Sequence, residues 1–152
     1  MKRSLLLPLA GLVLLAAVRG GAEAPLLPGV ANPAQAHVDY MLKCQGCHRP
    51  EGTGDLRSTP PLANEVSRFL SAPGGREFLG RVPGVATTDL DDARLAQLLN
   101  WTLHRFDPDH LPVGFKPYTA EEIGRLRKAP LRLERESVRE GLLRTIRRQP
   151  ES

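Results

Sequence analysis

The chain has two cysteines, and both lie in one string, Cys44-Gln45-Gly46-Cys47-His48. A C-x-x-C-H string brings two thiols and an imidazole together within a helical turn. That pattern is the signature of covalent haem attachment. Two intervening residues on a helical turn set both sulfurs along one edge of a porphyrin, where they add across its two vinyl groups. His48 then points along the ring normal as the proximal iron ligand. Gly46 leaves room for the backbone to pass close to the ring. The competing readings fit less well. A zinc site asks for four ligands, and there is no second cysteine pair. A thioredoxin-like redox pair asks for a strand–helix setting that the pattern lacks. A disulfide is the remaining alternative. A chain built on this motif has to wrap a flat, largely apolar cofactor, one haem c bound covalently.

The N-terminus carries a different message. Lys2 and Arg3 precede an apolar run from Leu5 to Val18, and small residues follow at Gly20, Gly21, Ala22 and Ala24. This is the layout of a secretory signal peptide, and the run is short for a spanning helix. Residues 1–24 are therefore read as a signal peptide, with cleavage after Ala22 preferred because cleavage after Ala24 would leave Pro25 first. An uncleaved membrane anchor is the other reading. Either way the functional part is expected outside the cytoplasm, in the periplasm.

The remainder is long enough for one small core. Of 21 basic and 17 acidic residues, the first 24 positions hold three and one, which leaves 18 and 16. The excess sits at the C-terminus: residues 119–152 hold 9 basic and 6 acidic groups. No interleaving of aromatic and basic residues points to nucleic acid.

The pattern predicts helices throughout, hence an all-α fold. A first helix is expected over 33–47, with Asn32 as N-cap and Pro33 at the first helical position. Val38, Met41 and Leu42 mark its apolar stripe. The segment 49–63, punctuated by Gly52, Gly54, Pro60 and Pro61, reads as loop. Short helices are expected over 65–71 and 76–81, with Pro83-Gly84 ending the second. The clearest helix spans 91–106. Asp91 is its N-cap, and Leu95, Leu98, Leu99, Thr102, Leu103 and Phe106 repeat at helical spacing.

This order resembles the class I cytochrome c family: a first helix ending in C-x-x-C-H, a proline-containing loop, short middle helices and a long last helix. The resemblance covers residues 32–106 and implies a cytochrome c domain over 25–107. It implies that the first and last helices cross, with Tyr40 and Trp101 packed at the junction. It also implies that a backbone carbonyl of the Pro60-Pro61-Leu62 loop accepts the Nδ1–H of His48, fixing its tautomer.

The chain departs from the family where a distal methionine is usual. Val82-Pro83 stands in place of Met-Pro, and the only methionines are Met1 and Met41. Met41 precedes Cys44 on the proximal-side helix and reads as a core filler. The sixth position is left to a second histidine, to an open or water-bound site, or to another group such as Lys116. His110 is the leading histidine candidate, with His104 next; His37 is expected to face solvent.

Residues 108–152 form a C-terminal extension with two short helices. Thr119 and Glu122 make a capping box for a helix over 120–128, with Tyr118 and Ile123 at the staple positions. A second helix is expected over 133–148, with Val138, Leu142 and Ile146 as a narrow stripe between arginines. It reads as a solvated helix resting on the domain; contact with an acidic partner or a weak contact with a membrane surface is the sharper alternative.

The resulting expectation is a non-enzymatic carrier of single electrons. The resemblance implies an exported dehydrogenase or other redox protein as donor, and an oxidase or another cytochrome as acceptor. The missing methionine motivates the alternative, a haem-based sensor or small-ligand-binding protein with an open or His-ligated distal site.

Overall fold

The computed structural model describes residues 27–55 and 58–149, and the proposed signal peptide lies outside the described residues. Every regular element among the described residues is helical; one isolated antiparallel bridge joins Asp55 to Thr59. The all-α expectation therefore holds.

Helix α1 runs Pro33–Lys43, with the Asn32 side chain accepting from the Gln35 N–H at 2.9 Å. The expected single helix breaks at Cys44 (φ −124°, ψ −39°), and a short α2 follows over Gln45–His48. The buried face of α1 is Ala36, Asp39 and Tyr40. Val38, Met41 and Leu42 are exposed, at 43%, 47% and 69%. The apolar stripe read from the sequence is thus the outer face, and Met41 is not a core filler. The reason is Asp39. Its fully buried carboxylate accepts from the guanidinium of Arg94, through Nη2 and at 3.2 Å from Nε, and from Gln35 Nε2 at 3.0 Å. That pairing lets a charged residue occupy the inward face.

A 3-10 turn covers Ser67–Ser71 where a helix over 65–71 is expected. Helix α3 covers Gly75–Arg81. Pro83 ends that helix as expected but also opens a one-turn helix, α4, over Pro83–Ala86, which the sequence pattern does not predict. Helix α5, Asp92–Phe106, is capped as expected by Asp91, whose side chain accepts from Arg94 N at 2.9 Å. It supplies nine buried residues and packs against α1 on one side. Tyr40 and Trp101 meet at that crossing with centroids 5.5 Å apart, and Phe106 closes the cluster at 4.9 Å from Tyr40. Offset and edge-on ring pairs of this kind add about 0.5–1.5 kcal/mol beyond their burial.

The C-terminal extension belongs to the same core. After a 3-10 turn at Pro108–His110, helix α6 (Ala120–Leu126) packs on α5 and α3. It ends two residues before the expected Lys128. Thr119 caps it, and Tyr118 and Ile123 are buried as the staple predicts. The Glu122 carboxylate does not return to the cap. It pairs with Arg76 of α3 at 2.6 and 2.7 Å. Helix α7, Arg135–Arg148, buries Leu142 and rests Val138 and Ile146 against the core, while Leu133 is fully exposed. Asn100 ties the extension to α5 from the inside. Its Nδ2 donates to Gly29 O (3.1 Å) and Tyr118 O (3.0 Å), and its Oδ1 accepts from Tyr118 N (2.8 Å).

Candidate functional site

The break at Cys44 sets the site. Both Cys47 N–H (3.1 Å) and His48 N–H (2.9 Å) donate to the Cys44 carbonyl, so the C-x-x-C-H string closes into one tight turn. Cys44 is half-buried and Cys47 exposed, and no disulfide joins them. Arg49 then adopts φ 64°, uncommon for a residue with a side chain, and reverses the chain. Tyr40 holds this reversal by donating its hydroxyl to Arg49 O at 2.5 Å.

The loop that follows folds back under His48. Gly52 O accepts from Leu62 N (2.7 Å) and Ala63 N (3.1 Å), and Gly54 N donates to His48 O (3.0 Å). Gly54 has φ 62°, and a Cβ there would lie 2.2 Å from Thr59 O, so only glycine fits. The outcome is a 3.2 Å contact between His48 Nδ1 and Pro60 O. The carbonyl can only accept, so Nδ1 carries the proton and Nε2 keeps its lone pair, as metal-bound imidazoles require. Burial pushes the His48 pKa down, opposed by this bond to Pro60. Burial, then Asp39 and Cys47, push the Cys44 thiol up to about 11.

Cys44 and His48 line a partly open cleft with a cavity volume of about 60 Å³. Its other walls come from Leu62 of the loop, from Gly84, Val85 and Thr88 around α4, and from α5. Lys43 stands at its edge, paired with Asp89 at 2.8 Å. Two thiols, an imidazole with a free nitrogen and an apolar cleft beside them suit a haem group attached at one edge.

The other sequence candidates are placed elsewhere. His110 binds Asp107 through Nδ1 at 2.5 Å, and the buried Asp107 also accepts from Ser67 N at 2.8 Å. His104 packs edge-on to Phe115, with its Nε2 buried and unpartnered. His37 is exposed, as expected, and stacks on Trp101. Lys116 is exposed, and its carbonyl accepts from Arg76. None of these residues lines the cleft.

One functional residue was invisible in the sequence. Arg127, part of a basic run, reaches from beyond α6 to the cleft wall. It donates to the carbonyls of Ala86 (3.3 Å), Leu90 (2.7 Å) and Thr88, and pairs with Asp92 at 2.9 Å. It thereby fastens the segment from which Thr88 lines the cleft.

Sequence comparison agrees with this geometry. Two cytochromes c-552 of Thermus thermophilus are similar to the chain. One is 32% identical over 124 residues, covering 70% of this chain and 84% of the relative. The other is 34% identical over 107 residues, covering 59% and 82%. No family model matches, and no solved structure matches. The chain belongs to the class I monohaem c-type cytochromes, electron carriers that hold one haem c covalently.

Proposed function

We propose that Cys44 and Cys47 carry the two thioether bonds to haem c, that His48 is the proximal iron ligand, and that the protein carries single electrons in the periplasm. The observation that supports this most is the 3.2 Å contact of His48 Nδ1 with Pro60 O, beside a cleft that both Cys44 and His48 line. The bound haem supplies a one-electron couple. The chain's own residues hold it, orient the imidazole, keep water from the buried side and present the exposed Cys47 edge to solvent. No acid–base residue is needed. The donor is an exported dehydrogenase or other redox protein, and the acceptor an oxidase or another cytochrome. Among the described residues no helix is long and apolar enough to cross a membrane.

Protein film voltammetry tests this function. The holoprotein should give one reversible one-electron wave that survives repeated cycling. A wave that requires two electrons, or that disappears after one turnover, would sink the carrier reading.

A further inference from the structure

With His48 as one axial ligand, a second protein ligand would have to reach the iron from the lining of the cleft. Apart from Cys44 and His48, that lining is glycine, leucine and valine with three polar side chains: Lys43, Thr88 and Thr102. The Lys43 ammonium is held by Asp89 and has no lone pair to offer. Thr102 Oγ1 is engaged with Leu98 O at 2.8 Å. Thr88 Oγ1 is buried and makes no hydrogen bond. A neutral threonine hydroxyl is not among the side chains that ligate haem iron axially, which are histidine, cysteine thiolate, methionine and tyrosine. Among the described residues the lining therefore holds no second strong iron ligand, but it holds one unspent hydrogen-bond donor. A buried hydroxyl without a partner is costly, and its native partner has to come from elsewhere.

We propose that the cleft binds one small neutral diatomic ligand at the ferrous iron, a chemistry shared by carbon monoxide, nitric oxide and dioxygen. The Thr88 hydroxyl donates a hydrogen bond to that ligand. The lining selects against anions, because it is largely apolar and its one cation, Lys43, is already paired with Asp89. Arg127 makes the donor's position fixed: its guanidinium binds the carbonyl of Thr88 itself and those of Ala86 and Leu90 on either side. This inference rests on haem attachment at Cys44 and Cys47.

The test uses carbon monoxide mixed with the ferrous holoprotein, with a pyridine haemochrome spectrum taken on each sample. The rate of complex formation should rise linearly with carbon monoxide concentration. Thr88→Val should raise the C–O stretching frequency, and Thr88→Ser, which keeps the donor, should leave it near the wild-type value. A rate that levels off with concentration, or no complex at all, overturns the site, because an internal ligand then has to leave first. An unchanged stretch in Thr88→Val overturns the role given to Thr88. A haemochrome lacking covalent haem defeats the attachment reading instead, so the two failures are distinguishable.

Discussion

Asn100 shows what a single buried side chain does here. Three hydrogen bonds from one fully buried amide join the N-terminal turn, α5 and the start of the extension. Asn100→Ala leaves two carbonyls and one N–H without partners. Each buried orphan costs about 1–3 kcal/mol, so denaturant unfolding should report a loss of about 2–4 kcal/mol, given partial repair by water. A loss below about 0.5 kcal/mol would contradict the burial. At this scale the sequence was legible where chemistry is tied to spacing. The tight turn from Cys44 to His48, the Asp91 and Thr119 caps and the Tyr118/Ile123 staple all depend on near neighbours in the chain. It was illegible where the partner is remote. Asp39 looks like a surface acid until Arg94, on another helix, is brought to it. Thr88 looks like a loop residue until α4 and Arg127 set it in the cleft wall. His110 reads in the sequence as a candidate distal ligand, yet the nearby buried Asp107 holds its Nδ1.

Among the elements, the segment from α4 to the start of α5 is the least autonomous. Helix α4 is a single turn, and much of its order is supplied from the extension by Arg127. Arg127→Ala should speed amide hydrogen exchange across Val85–Leu90 while leaving the core of α1 protected. Arg127→Lys should not restore protection, since one ammonium cannot serve three carbonyls and Asp92 as a planar fork does. Equal protection in wild type and Arg127→Ala would show that the segment stands by itself. The one-turn helix after Pro83 and the break at Cys44 in the helix expected over 33–47 were both missed for the same reason. One-turn helices and single-residue breaks are set by tertiary contacts, which periodicity does not carry. The long helix α5 was legible because Leu95, Leu98, Leu99, Thr102, Leu103 and Phe106 repeat at helical spacing, and all six are buried.

For the whole molecule, the extension is structural rather than appended. Tyr118, Ile123, Leu131 and Leu142 are all buried in the one core cluster. A chain ending at Asp107 should therefore fail to unfold cooperatively, as read by circular dichroism melting; a sharp transition near the full-length midpoint would refute this. The two tyrosines of that core also set an alkaline limit. Burial pushes Tyr40 up from 10.0 to about 12, and pushes Tyr118 up further. Each phenol is neutral in the fold and ionises more easily in the unfolded chain. Their contribution is complete below pH 10 and is lost as pH rises toward 12. Tyr40→Phe should flatten that decline; an unchanged pH profile would contradict it. The central claim concerns how the haem is held. Its most direct test is the intact mass and pyridine haemochrome spectrum of protein matured in an exporting host, beside a Cys44→Ser/Cys47→Ser double variant. The account predicts one haem of added mass that survives acid–acetone extraction, an α band typical of two thioethers, and none of this in the variant. A wild-type chain that gives up its haem to extraction would contradict it.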